Sequence, residues 1–192
     1  MSYLHRRAFL RASSVVAVSA ASSFALPAFA QIAAPAVIGT KDTDCRTLVM
    51  NNIHNGEKVK SDYWVDGEYI PGELKRLNKF LRDFRSNDVY AMDPKVFDLL
   101  HMLAESVDAR QGFEVVCGYR SPETNEFLRR EYSGVAEHSL HMKGQAIDLC
   151  APGRSLKKVH EAALALRLGG VGYYPDSDFI HVDTGRVRRW TG

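Results

Sequence analysis

The alternation of apolar and polar residues changes period several times along the chain, and each change marks an element. Residues 46–53 and 57–64 alternate or are rich in β-formers, with His54-Asn55-Gly56 between them. Asn-Gly between two such runs predicts a hairpin, because both residues accept the positive φ that tight hairpin turns need. A further turn at Asp66-Gly67 leads to Tyr69-Ile70. Pro71 then opens a helix predicted over 71–84, with Leu74, Leu77, Phe80, Leu81 and Phe84 at three- and four-residue spacing. A second helix is predicted over 93–109, capped by Asp93 with Pro94 in its first turn. Its Val96, Leu99, Leu100, Leu103 and Val107 make one apolar stripe.

The second half reads differently. Residues 113–117 predict a short buried strand ended by Gly118-Tyr119-Arg120, and Ser121-Pro122 starts a third helix through residue 130. A polar, irregular stretch (131–144) precedes a strand at 145–150, which Pro152-Gly153 breaks. Ser155 caps a fourth helix over 156–168, ended by Gly169-Gly170. Strands at 171–174 and 179–183 follow, joined by Pro175-Asp176-Ser177-Asp178. Helices come early and strands late, without strict βαβ alternation or internal repeat. The expectation is an α+β fold: a mainly antiparallel sheet with helices packed on one side.

The N-terminus is a separate matter. Arg6-Arg7 and Arg11 precede a small-residue apolar stretch over 15–30, and Ala28-Phe29-Ala30 offers an A-x-A cleavage site before Gln31. A charged start, a short apolar run and a small-residue exit define a secretory signal rather than a membrane span. The paired arginines resemble the Tat export signal, which implies a periplasmic mature protein. The expected organisation is therefore a Tat-type signal peptide at 1–30, a flexible lead-in at 31–44 and one folded domain at 45–192. At 192 residues the chain has room for hardly more than one domain. The formal charge of +2 belongs to the leader: without its three arginines, 22 basic residues face 23 acidic ones. Nothing in that balance calls for nucleic acid or an anionic membrane as partner.

Candidate chemistry concentrates between Ser139 and Asp183. His141 and Asp148 stand seven apart, with Gly144 between them to let the backbone bend. In the strand that follows, Ile147 and Leu149 point one way while Ala146, Asp148 and Cys150 point the other. The last predicted strand does the same, with Ile180 and Val182 inward and His181 and Asp183 on the opposite face. Two neighbouring strands would thus present Asp148 and His181 to one cleft, with His141 arriving from the loop. Two imidazoles and one carboxylate suit Zn2+, and three protein ligands leave a fourth position for water, the arrangement of a catalytic zinc site.

The stretch Ser139 to Asp148 matches S-x-H-x-x-G-x-A-x-D, and so resembles the zinc D-Ala-D-Ala metallopeptidases, the superfamily (LAS type) that also holds the hedgehog signalling domain. Residues 179–183 resemble that family's second metal motif, and Gly118-Tyr119-Arg120-Ser121 its arginine motif. The order of these blocks, with residues 170–174 and Thr184-Gly185-Arg186, is most similar to the YcbK/MepK group of murein endopeptidases. The resemblance covers about residues 46–190. It implies a hedgehog/D-Ala-D-Ala metallopeptidase-like fold, with His141, Asp148 and His181 as zinc ligands and Arg120 holding the carbonyl oxygen under attack. It implies a general base three residues before the last histidine, here Asp178, with Asp183 and His138 as competitors. Ser139 reads as a supporting residue, not a nucleophile. The implied activity is hydrolysis of amide bonds in peptidoglycan stem peptides or cross-links, the meso-diaminopimelate 3–3 type included. The alternative is a zinc-containing module that grips wall fragments or a partner without cleaving, for which Arg120 and Asp178 would be superfluous.

Three cysteines allow at most one internal disulfide. Cys117 and Cys150 both end strands near the proposed cleft and are either that pair or buried free thiols; Cys45 is left over. Tyr119, Tyr173, Tyr174 and Trp190 are candidates to line the cleft. Arg186, Arg188 and Arg189 read either as a solvated basic tail or as attractors of stem-peptide carboxylates.

Overall fold

A computed structural model describes residues 44–192. The expected signal peptide and the lead-in up to residue 43 lie outside the described residues. Strands β1 (Cys45–Asn52), β2 (Lys58–Val65) and β3 (Glu68–Tyr69) form a meander, followed by helices α1 (Pro71–Phe80) and α2 (Pro94–Val107). Then come β4 (Phe113–Cys117), α3 (Pro122–Glu131), β5 (Ala146–Cys150), α4 (Leu156–Leu166), β6 (Gly170–Tyr174), β7 (Phe179–Asp183) and β8 (Arg188–Thr191). All eight strands join one sheet in the order β3-β2-β1-β4-β5-β7-β6-β8.

The class is α+β as expected, and the sheet is mixed. Five neighbouring pairs are antiparallel, while β1–β4 and β6–β8 are parallel. The first parallel pair follows from topology: two whole helices lie between β1 and β4, enough chain to cross back and re-enter in the same direction. Apolar residues of α1, α2 and α4 (Leu77, Val96, Leu100, Leu103, Val159) share one core with Leu48, Met50, Ile147, Leu149, Ile180 and Val182 from the strands. Ile147 and Leu149 join that core as the alternation predicts, which sends Asp148 to the other face. Among the described residues no helix is long and apolar enough to cross a membrane.

Three boundaries differ from expectation for local reasons. Helix α1 stops at Phe80 rather than 84, because Asp83 is engaged elsewhere: its carboxylate accepts the amide N–H of Arg85 and of Ser121, both at 2.9 Å. Such side-chain bonds compete with the helical ladder. Helices α2 and α4 end early on residues in the left-handed region, Asp108 (φ 52°) and Arg167 (φ 54°). Strand β8 carries Arg188-Arg189-Trp190-Thr191, too short and without the apolar–polar alternation that would mark it as a strand; its pairing with β6 makes it the sheet's edge.

Candidate metal centre

One transverse row of the sheet builds the site. Cys117 of β4 lies opposite Asp148 of β5, Asp148 opposite His181 of β7, His181 opposite Gly172 of β6, and Gly172 beside Trp190 of β8. Residues in register across strands share a face, so these side chains stand next to one another. A bulge between Val115 and Cys117 brings Cys117 into the row. Gly172 leaves room for the Trp190 ring: a Cβ there would stand 2.6 Å from the indole.

His141 reaches the row from a single 3-10 turn (Leu140–Lys143). Ser139 caps that turn by accepting the His141 N–H at 3.3 Å, consistent with a supporting rather than nucleophilic part. Gly144 closes it with φ 64°, in the left-handed region that the decamer's glycine permits. A side chain there would also meet the Ala91 carbonyl at 2.5 Å.

The result is a tight triangle of lone-pair atoms. His141 Nε2 lies 3.2 Å from Asp148 Oδ1 and 3.1 Å from His181 Nδ1, and the third edge, His181 Nδ1 to Asp148 Oδ1, is 2.8 Å. Outer partners fix both ring tautomers. His141 Nδ1 is 2.8 Å from the Gly118 carbonyl, which can only accept, so Nδ1 carries the proton and Nε2 offers its lone pair. His181 Nε2 donates to the buried Asp183 Oδ2 at 2.9 Å, leaving Nδ1 free to face the triangle. A tetrahedral zinc ion with bonds of 2.0–2.2 Å holds its ligand atoms roughly 3.3 Å apart, within half an ångström of these edges. The donor set and its spacing therefore fit a divalent metal.

Three such atoms cannot sit together without a shared positive charge. Burial opposes a charged imidazole at His141, yet the Asp148 and Cys117 charges outweigh it and push the group up to about 10. Burial likewise opposes the Asp148 carboxylate, and the two imidazoles beside it hold it well below the usual range. A proton or a metal ion answers the same demand.

Cys117, expected near the cleft, belongs to this cluster as well, although the sequence pattern did not mark it as a candidate ligand. Its Sγ, an Asp148 carboxylate oxygen and a His141 ring nitrogen lie within 4.8 Å of one another. That is looser than the His141–Asp148–His181 triangle, which is the better fit for zinc. The alternative of a Cys117–Cys150 disulfide is not realised: all three cysteines are free. The register explains it, since Cys150 lies opposite Glu114, and its thiol donates to Glu114 Oε2 at 3.6 Å, while Cys117 lies opposite Asp148.

Arg120 flanks the row, 14% exposed. Its Nη2 lies 3.7 Å from Asp148 Oδ2 and 3.5 Å from Cys117 Sγ, and its Nη1 donates to Asn125 Oδ1 at 3.4 Å. Its Nε is buried and has no partner among the described residues. A cleft of about 400 Å³ opens over the row, lined by Arg120, His138, Tyr174, Phe179, Arg188 and Trp190 with residues 133–136. Of the four aromatic candidates, Tyr174 and Trp190 line it, joined by a Trp190 Nε1–H bond to the Tyr174 hydroxyl at 2.8 Å. Tyr119 stacks instead on Tyr90 and Tyr173 on His160, with ring centroids 4.8 and 4.6 Å apart.

The three base candidates occupy different places. Asp178 is exposed, with φ 52°, at the end of the Pro175–Ser177 turn, outside the lining of the cleft. His138 is exposed on the lining. Asp183 is fully buried and engaged by His181, by the amides of Gly170 and Gly185, and by Arg188. Burial works against its charge, but these donors hold it well below the usual carboxylate range. Arg188 is thus no solvated tail residue; Arg186 and Arg189 are exposed.

The comparisons with known proteins point the same way. A family model described as "Peptidoglycan L,D-endopeptidase MepK" matches residues 40–190. The chain is 43% identical over 164 residues to the Escherichia coli K12 protein named "Peptidoglycan L,D-endopeptidase MepK", covering 85% of this chain and 86% of that one. It is 45% identical over 148 residues to the Haemophilus influenzae "Probable peptidoglycan L,D-endopeptidase MepK", covering 77% and 80%. No solved structure matches. With a triangle of donor atoms that fits a divalent metal, an adjoining arginine and an open cleft, on a chain matched by the family over residues 40–190, the protein is a peptidase and belongs to the peptidoglycan L,D-endopeptidase MepK family.

Proposed function

We propose that the chain is an exported, zinc-dependent endopeptidase that hydrolyses amide bonds in the peptide cross-links of peptidoglycan, those of the 3–3 type above all. The observation that carries the reading is the triangle of His141 Nε2, Asp148 Oδ1 and His181 Nδ1, with edges of 2.8–3.2 Å, facing a cleft. These three residues would hold the metal. Zinc bound there supplies Lewis acidity, which makes water a competent nucleophile near neutral pH. The names of the relatives support the bond type, and the Arg6-Arg7 leader supports export to the periplasm.

The chain's own residues supply the rest. Gly118 and Asp183 keep both imidazoles in the tautomer that offers a lone pair. Arg120 stabilises negative charge growing on the carbonyl oxygen, a contribution of about 3 kcal/mol for one well-aimed donor. Its side chain lines the cleft, and its buried Nε–H has no acceptor among the described residues. Tyr174, Phe179 and Trp190 give an apolar wall along which a stem peptide lies. Proton transfer to the leaving amine falls to Asp178 or to His138, and separate Asp178→Asn and His138→Gln variants decide between them: the carrier is the one whose loss lowers kcat while KM holds.

The test is chromatography of muropeptides after digestion of isolated sacculi with the zinc-loaded protein. Cross-linked dimers should fall and monomers rise, a chelator should stop this, and His141→Ala should release nothing. Zinc-loaded protein that binds sacculi and leaves every dimer intact, while His141→Ala binds equally well, would replace this reading with that of a binding module.

A further inference from the structure

Strand β8 flanks the candidate metal centre, with Arg188 and Trp190 on the cleft lining. Asp183 accepts His181 Nε2–H on Oδ2 at 2.9 Å, and Arg188 grips the same carboxylate with both ends of its fork, Nη1 to Oδ1 at 3.0 Å and Nη2 to Oδ2 at 2.7 Å. The amides of Gly170 and Gly185 complete the shell at 3.0 and 2.8 Å. Glycine is what makes room: a Cβ on Gly170 would collide with Arg188 Nη1 and Asp183 Oδ2. Two residues further along β8, the Trp190 ring lies 5.1 Å from the His181 ring, and the Arg188 guanidinium sits 4.8 Å above the indole.

We infer that Arg188 is a positioning residue of the metal centre: it holds the Asp183 carboxylate in the one orientation that aims His181 Nδ1 at the metal. The inference rests on the proposed zinc site and goes beyond it, because the ligand set says nothing of the last strand. Asp183 without Arg188 would keep its amide bonds but lose two charge-assisted ones, and could rotate away from His181. One N–H of each Nη goes to Asp183 and another of Nη1 to the Arg186 carbonyl at 3.2 Å, so the charge of Arg188 is committed to Asp183 and the residue acts through His181. Loss of a group that orients a ligand costs about 10–100-fold in metal affinity.

The experiment is zinc competition against a fluorescent chelator, with the cobalt(II) absorption spectrum as second readout, on the full chain and its Arg188→Ala, Arg188→Lys and Arg189→Ala variants. Arg188→Ala should bind zinc about 10–100-fold more weakly and shift the cobalt bands. Arg188→Lys, which keeps the charge and loses the fork, should recover part of both. Arg189→Ala, exposed on the same strand, should match the parent. If Arg188→Ala does not fold, Arg188→Lys decides alone, by a loss of several-fold or none. Variants at Arg188 within twofold of the parent, with the parent's cobalt spectrum, overturn the inference and leave the zinc reading standing. A parent chain that binds no zinc overturns both.

Discussion

Asp98 on α2 and Asp183 on β7 are both gripped by an arginine and by further donors. On Asp98, Arg46 Nη1 at 2.7 Å and the Tyr63 hydroxyl at 3.0 Å share one oxygen, and the Tyr69 hydroxyl reaches the other at 2.5 Å. Those donors tie β1, β2 and β3 to α2, and none of them has a second end that faces a cleft. On Asp183 one donor is an imidazole, and an imidazole that gives its proton on one side holds a lone pair on the other. The first cluster closes on itself; the second hands its order onward to the triangle. A carboxylate gripped by several donors is common to both, so the grip does not separate structure from chemistry, although Asp183 is fully buried and Asp98 is 19% exposed. What separates them is capacity left over and pointed at open space.

Arg120 is the sharpest way to press that distinction, because its buried Nε has no partner. Arg120→Ala should lower kcat by about 10²–10³-fold, the cost of losing one donor to a developing oxyanion. Zinc content, read by elemental analysis, should stay at the parent's level, since Arg120 comes no nearer than 3.7 Å to Asp148. An Arg120→Ala protein with the parent's kcat would remove the residue from the reaction.

Asp98→Ala should do the reverse. It strands one guanidinium and two phenols, and loss of hydrogen bonds to a charged group costs about 2–3 kcal/mol here. Urea denaturation should show that loss, while zinc affinity and kcat hold. A fall in zinc affinity would mean that the two clusters are coupled.

Asp83 gives the comparison a pH axis, since it is a buried carboxylate held chiefly by backbone amides. Burial raises its pKa, but the Thr124 side chain and the amides of Ser121 and Arg85 win and hold it below the ordinary value. A depressed carboxylate contributes stability that is complete above its unfolded pKa and fades as pH falls through the folded one. Asp83→Asn should therefore cost about 1–2 kcal/mol at neutral pH, with the gap to the parent closing from about pH 5 downward. A gap that is constant with pH would show that the bonds do not depend on the charge.

How much of this was legible depended on whether the signal was local. The decamer from Ser139 to Asp148 carried His141, the bend at Gly144 and the facing of Asp148 in ten adjacent residues, because turn and strand periodicity are short-range. The sheet register that sets Asp148 against His181, and Cys117 against Asp148, joins segments far apart in the chain and left no mark in either. Strand β8 hid because it is only four residues long and its two adjacent arginines show no apolar–polar alternation; β6 gives it its form. Helix α1 was overextended because Leu81 and Phe84 continue the apolar spacing, while the competing bond from Asp83 to Ser121 bridges two distant segments. Asp183 could be assigned to the right strand face from alternation, but its partner Arg188 could not.

Tyr69 offers the smallest and most selective test. Its hydroxyl is the outermost donor to Asp98, and burial and that bond push the phenol up to about 12. Because the raised value favours the neutral form in the fold, the stabilisation is complete below the ordinary phenol value of about 10 and is lost as pH climbs through the folded value. Tyr69 is 37% exposed, so solvent screening trims the contribution, and Tyr69→Phe should cost about 0.5–1 kcal/mol at neutral pH. The measurement is paired urea melts at about pH 8 and about pH 11, with ultraviolet titration following the phenols. The variant's deficit should shrink at the higher pH, and its zinc affinity should equal the parent's at both. A deficit that grows with pH would mean that the ionised phenol, not the neutral one, is the form the fold prefers beside Asp98, which a carboxylate at 2.5 Å should forbid.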